Sequence, residues 1–241
     1  MKTYGLLIFI IFCICISAQA QDTNRSYQVG EKWVYQYEGP KTHRFEALWE
    51  MDFYKGERKR EVLFFKEKGG KTFCVIQENY GKPDPVKTHY YVDENNFIAV
   101  EVSMAPQHVV TSVFKPGCPF DIPDLEIGEE KVFEYTKTND LLHNTTAYNL
   151  TIERLEDQTI EVPAGTFENC KRFKMSVSAI IEPNVQDIRK TVINLDTDLW
   201  WHPSVNGTVK EVSKTGPFEY VGEMLPGYVA KSVLTSYSSG K

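Results

Sequence analysis

VGEKWVYQY spans residues 29–37, and IGEEKVFEY spans residues 127–135. Set over each other without a gap, they share Gly, Glu, Val and Tyr, and Val/Ile, Tyr/Phe and Gln/Glu are close exchanges. Within the first stretch Trp33, Tyr35 and Tyr37 alternate with smaller or polar residues. A period of two sets one face of a strand on a core and the other toward water. The chain therefore opens the same kind of strand twice.

Further matches follow in the same order. Gly70–Cys74 resembles Gly165–Cys170, each with a Thr-Phe pair before the cysteine. YYVDENNFIAVEVS from Tyr90 aligns with WWHPSVNGTVKEVS from Trp200, sharing an Asn and a closing Glu-Val-Ser. Start, middle and end agreeing in order suggests two similar β-meanders, residues 27–103 and 125–213. Chance reuse of aromatic strands is the competing reading. Residues 214–241 form a tail in which Tyr228–Tyr237 has the pattern of a last strand. KPGCPFDIPD, residues 115–124, reads as a Pro/Gly-rich crossover between the copies.

Alternation continues elsewhere. Phe45, Ala47, Trp49, Met51 and Phe53 form one such set, and Phe173, Met175, Val177, Ala179 and Ile181 another. Lys55-Gly56, Gly69-Gly70, Asn95-Asn96 and Asn206-Gly207 read as hairpin turns. No stretch carries a clean helical stripe. The expected fold is all-β: about ten to thirteen antiparallel strands in curved sheets, closing as a barrel or as a half-barrel or sandwich.

Residues 1–20 read as a secretory signal peptide. Lys2 precedes an eleven-residue apolar run, Leu6–Ile16, and Ala18-Gln19-Ala20 offers a cleavage site. The run falls short of the roughly 20 residues needed to span a bilayer, so no transmembrane anchor is expected. Residues 21–241 then make a single β domain, secreted to the extracellular space or, in a bacterium, periplasmic. A net charge of −6 with scattered lysines gives no footprint for nucleic acid. Asn24, Asn144, Asn149 and Asn206 begin glycosylation sequons. Beyond the signal the cysteines are Cys74, Cys118 and Cys170. An oxidising compartment favours one disulfide among them. Cys74 and Cys170 hold matching places in the two copies and are the favoured pair; Cys118 with Cys170 is the alternative.

EVPAGTFENCKRFKM, residues 161–175, resembles a motif of a family of poorly characterised exported bacterial β-rich proteins. These carry a Val-Pro-Ala-Gly-Thr-Phe hairpin followed by a strand. Trp200–Lys210 resembles their downstream Trp-Tyr-x-Pro-Gly-Val-Gly-x-Val-Lys element, with Ser204 in place of a Gly and Asn206 inserted. Gly30–Tyr35 resembles their opening Gly-x-x-Trp-x-Tyr strand. The resemblance implies a secreted curved-sheet protein similar to envelope lipid-carrier half-barrels, and it implies no catalytic residues.

The residues themselves offer no catalytic or metal constellation. His43, His89, His108, His143 and His202 lack metal-pair spacing. No Gly-x-Ser-x-Gly elbow occurs. Asp196-Thr197-Asp198 and Asp93-Glu94 are acidic but form no EF-hand loop, and solvated turns are the simpler reading. Glu46, Glu50 and Asp52 share a strand face and would face water. The expectation is a non-enzymatic protein without cofactor that binds an apolar or lipid-like ligand. The alternative is an extracellular interaction or matrix protein with a protein or polysaccharide partner. Trp33, Tyr35, Trp49, Phe53, Phe133, Phe173 and Trp201 are the candidate cavity-lining residues, since aromatics make up 13% of the chain and many alternate inward.

Overall fold

The computed structural model describes residues 27–40, 53–68, 71–81, 87–93, 96–105, 108–119, 124–139, 145–182, 190–220 and 223–240. The strands in chain order are β1 (Lys32–Pro40), β2 (Phe53–Lys68), β3 (Lys71–Tyr80), β4 (Lys87–Asp93), β5 (Asn96–Ala105), β6 (His108–Pro119) and β7 (Glu130–Asn139). They continue as β8 (Thr145–Val162), β9 (Gly165–Glu182), β10 (Thr191–His202), β11 (Gly207–Thr215), β12 (Phe218–Tyr220), β13 (Glu223–Leu225) and β14 (Tyr228–Ser238). A single 3₁₀ turn, Pro203–Val205, lies between β10 and β11. Among the described residues there is no α-helix. The all-β, antiparallel expectation holds.

Eleven strands pair in sequence from β1 to β11, then β14 pairs with both β11 and β1, so the hydrogen-bonded order returns on itself. β12 and β13 form a small separate ribbon that packs against β10. The long sheet divides into two sets of six, β1–β6 and β7–β11 with β14. The junction β6–β7 is short, pairing only Ser112–Lys115 with Thr136–Asn139.

The two repeated openings fold alike. Gly30 N donates to Val62 O (2.8 Å) and Val62 N to Glu31 O (2.9 Å). Gly128 N donates to Arg154 O (2.8 Å) and Arg154 N to Glu129 O (2.9 Å). Gly30 and Gly128 have φ of +84° and +85°, a conformation that glycine adopts without steric cost. The later matches fall on corresponding strands too: Cys74 on β3 and Cys170 on β9, Tyr90 on β4 and Trp200 on β10. One match is out of register. Tyr90 reaches Glu78 inside the ring, whereas Glu101 meets its neighbour Tyr91, which points to the other face of β4; Glu211 instead reaches Arg58 inside, so the two glutamates lie on opposite faces. A one-residue slip flips every side chain.

Some expected turns are strand. Lys55-Gly56 lies inside β2, where Gly56 pairs with Tyr37. The Tyr54 ring lies so close that a Cβ on Gly56 would sit 2.3 Å from its hydroxyl oxygen. This glycine makes room for an aromatic ring rather than a bend. Lys115–Pro119 of the expected crossover belong to β6. Asp196 and Asp198 lie in β10, not in a turn; Ser176 Oγ donates to Asp196 Oδ1 (2.7 Å), and Asp198 pairs with Arg172 (2.6 Å). The Pro163-Ala164 hairpin and the Asn206-Gly207 turn form as expected, with Asn206 at φ +47°.

No disulfide links Cys74, Cys118 and Cys170; all three are buried thiols. The expected Cys74–Cys170 bridge fails for a topological reason. β3 and β9 stand six strands apart whichever way the ring is followed. Matching positions in the two halves are diametrically opposed, not adjacent at an axis.

Candidate functional site

The inward face is not uniform. Trp33, Tyr35 and Tyr37 on β1, Arg58, Arg60 and Val62 on β2, and Ile76, Glu78 and Tyr80 on β3 are all buried. So are Glu211 and Ser213 on β11 and Ala230, Ser232 and Leu234 on β14. These strands are neighbours in the ring, so strand alternation aims one set of side chains at a common interior. It brings two guanidinium groups and two carboxylates together out of water.

Arg60 Nε donates to Glu78 Oε2 at 2.5 Å. Tyr80 and Tyr90 hydroxyls donate to Glu78 Oε1 at 2.9 and 3.4 Å. Arg58 donates to Ser232 Oγ at 2.8 Å and meets Glu211 at a longer 3.4 Å. Ser213 Oγ donates to Glu211 Oε1 at 3.3 Å and contacts Thr197 Oγ1 at 3.0 Å. The Arg58 guanidinium lies over Tyr35 and Tyr37, 4.9 and 5.2 Å from their centroids, and its Nε has no hydrogen-bond partner among the described residues.

Burial works against every charge here, and the pairing outweighs it. Burial alone would raise the Glu78 carboxyl, but Arg60 and Arg58 hold it below the usual range. Burial alone would lower Arg58, but Glu78 and Glu211 raise it well above its ordinary value. Burial raises Tyr35, against the pull of Arg60 and Arg58, and raises Tyr37 well above its ordinary value, with Tyr80 adding to it. Arg58, Arg60 and Glu78 therefore stay charged at neutral pH.

The opposite half has the same backbone and a different lining. Trp33 pairs with Arg60 and Tyr35 with Arg58 in the first half; Lys131 pairs with Ile152 and Phe133 with Leu150 in the second. Arg60–Glu78 becomes Ile152–Met175, and Arg58–Tyr80 becomes Leu150–Val177. Phe173, Val177, Ala179 and Ile181 complete a buried apolar wall. The interior is therefore uneven: paired arginines and carboxylates gather on one side, and the other is mainly apolar, with Lys137 beside Tyr148 and Arg154 over the Phe173 ring also buried there.

One end is closed by the second half. Beyond its pairing with β7 and β10, the β8–β9 ribbon continues to Pro163-Ala164, and Ala164 N donates to Leu234 O on β14 (3.2 Å). Ile160 and Phe167 are buried by that ribbon. Nearby, buried Glu31 accepts from Asn206 Nδ2 (2.8 Å) and Tyr237 OH (2.9 Å), and Trp33 Nε1 donates to Val205 O (2.7 Å).

Of the expected lining residues, Trp33, Tyr35, Phe173 and Trp201 are buried, and Phe133 is half-buried against the core. Phe53 is corrected: it is 56% exposed, at the start of β2. Trp49 lies outside the described residues, as do the sequons at Asn24 and Asn144 and the carboxylates Glu46, Glu50 and Asp52. Asn149 is exposed on β8, whereas the Asn206 amide is engaged by Glu31. His202 accepts from Ser204 N at the 3₁₀ turn (3.2 Å) and packs on Phe167. No group of metal-ligating side chains gathers among the described residues.

Arg58, Arg60, Glu78 and Glu211 were not visible as a site in the sequence. In Glu57-Arg58-Lys59-Arg60-Glu61 both strand faces are charged, so hydropathy cannot tell inside from outside. The usable signal was the repeat itself, had it been extended to Leu150 and Ile152.

No protein-family model matches the chain, and no curated protein matches it. Two solved structures align with most of it. One is a candidate lipoprotein from Parabacteroides distasonis, 12% identical, covering 89% of this chain and 100% of that one, with a TM-score of 0.44. The other is a candidate exported protein with a YmcC-like fold from Bacteroides fragilis, 14% identical, covering 88% and 97%, with a TM-score of 0.37. Likeness at that level carries no argument about function.

Proposed function

We propose that this is a secreted, non-catalytic β protein that holds an amphipathic, lipid-like ligand between its two unlike inner walls. The observation that carries the reading is the division of one interior into an Arg58/Arg60 side and a Leu150/Ile152/Met175 side. A polar head would sit against Arg58, whose Nε has no hydrogen-bond partner among the described residues, and an apolar chain against the opposite wall. Such a chain gains about 25 cal/mol per Å² removed from water, offset by ordering costs. Export rests on the leader read in residues 1–20.

The test is titration of delipidated protein with a fluorescent fatty acid, alongside native mass spectrometry of protein purified from its own host. Saturable binding, competed by unlabelled fatty acid and weakened in Leu150→Asp, supports the reading. A clean apo mass together with no saturable binding removes it.

A further inference from the structure

The two junctions between the halves are sealed unequally. β1 meets β14 along seven residue pairs, from Lys32–Ser238 to Glu38–Lys231. β7 is the counterpart of β1, yet its ladder with β6 stops at Thr136–Lys115. Glu130–Tyr135, which matches Lys32–Tyr37, pairs with β8 on one side and has no strand on the other among the described residues. The cause lies in β6. Pro116 has no N–H to give to a ladder. The β5 ladder sets Ala99 opposite Val113 but Phe97 opposite Cys118, so Phe114–Gly117 face Ile98 alone. Such an excess bends a strand, and β6 leaves β7 at that corner.

Burial along β7 follows the opening. Lys131, Phe133, Tyr135 and Lys137 alternate onto the inner face, opposite Ile152, Leu150, Tyr148 and Thr146. Lys137 and Tyr135 are buried, Phe133 is half-buried and Lys131 is exposed. Their β1 counterparts Trp33, Tyr35 and Tyr37 are all buried. At the paired end of the seam Phe114, Tyr135 and Tyr148 form an aromatic row, with successive centroids 6.1 and 4.9 Å apart. At the open end the half-buried Phe133 stands between the unpaired edge and fully buried Leu150, and the Lys131 ammonium lies 5.4 Å from its ring centroid. Entry between β1 and β14 would have to break a ladder; entry here needs one ring to turn. We propose that the β6–β7 seam is the entrance through which an apolar chain reaches the Leu150/Ile152 wall, with Phe133 as its gate and Lys131 as the latch on that ring. This rests on the interior holding such a ligand.

The test follows the fluorescent fatty acid by stopped-flow mixing with the delipidated mature chain. Phe133→Ala should raise the association and dissociation rate constants together, by about fivefold or more, whereas loss of a residue that merely lines the site would change dissociation alone. Lys131→Cys carrying a bulky maleimide adduct should slow both by about tenfold, and the same adduct on Lys214→Cys, exposed on β11, should slow neither. Hydrogen exchange reads the seam without ligand: amides of Glu130–Tyr135 should exchange faster than those of Lys32–Tyr37. Equal protection overturns the entrance, as does saturable binding whose rates ignore both Phe133→Ala and the Lys131 adduct; the ligand reading then stands without it. Fast exchange with no saturable binding in the wild-type chain removes the ligand reading and the entrance together.

Discussion

The halves beginning at Gly30 and at Gly128 share a turn, a strand order and a ribbon, yet they spend them differently. Glu31 is buried and accepts from Asn206 and Tyr237; its counterpart Glu129 is exposed and accepts the local Glu126 N–H, at 2.9 Å. Arg60–Glu78 is an ion pair where Ile152–Met175 is an apolar contact. One ribbon buries Ile160 and Phe167, while the other leaves Phe64 and Phe65 exposed. Backbone geometry is thus compatible with either lining. The choice between charge and hydrocarbon at a given cross-strand pair is made by side chains that the ladder does not constrain.

The largest effect should come from breaking the charged pair. Glu78→Met or Arg60→Ile alone should cost about 3–5 kcal/mol, because each leaves a buried charge without its partner. Arg60→Ile with Glu78→Met copies the other half and should recover most of that loss, measured by urea denaturation. A double variant as unstable as either single one would show that the halves are not interchangeable. The sign of the pH dependence follows from Glu78. Its folded pKa is held below the ordinary 4.5, so its contribution is complete above that value and is lost as pH falls through the folded pKa. Acid unfolding monitored by circular dichroism should be shallower in the double variant.

Next in size is the shared glutamate. Glu31→Gln should cost about 1–3 kcal/mol through its buried acceptor contacts. Glu129→Gln should stay within about 0.5 kcal/mol, as exposed substitutions do. Equal losses in thermal unfolding would sink the distinction drawn between these two positions.

The matched glycines should behave alike. Gly30→Ala and Gly128→Ala meet nothing closer than 4.0 Å, so only the positive φ opposes them. Each should lose about 1 kcal/mol. A large inequality would mean that the two turns carry different tertiary loads.

The smallest expected effect is chemical. Burial pushes the Cys170 thiol up to about 11, with Asp157 adding to it. In native protein at neutral pH it should resist iodoacetamide. After denaturation without reductant, Cys74, Cys118 and Cys170 should all be alkylated. A mass short by two alkyl groups would reveal a disulfide after all.

Sequence pattern was enough for the strand type, the repeated opening and the apolar wall of β9, because Phe173, Met175, Val177, Ala179 and Ile181 alternate against polar neighbours. It was not enough where both faces of a strand are polar, as at Arg58 and Arg60, or where a glycine serves an aromatic ring, as at Gly56. It also misplaced Glu101 against Glu211, since one residue of slip leaves the letters matching while exchanging the faces.

The amino-acid order by itself determined an all-β chain written twice, since period-two alternation and left-handed glycines act locally. Only the tertiary structure decided that corresponding positions stand across a ring from each other. That separation keeps Cys74 from Cys170, buries Glu31 but not Glu129, and faces the charged wall with an apolar one. These outcomes depend on contacts between residues more than a hundred positions apart, such as Arg58 with Glu211 and Ser232. No local period encodes them.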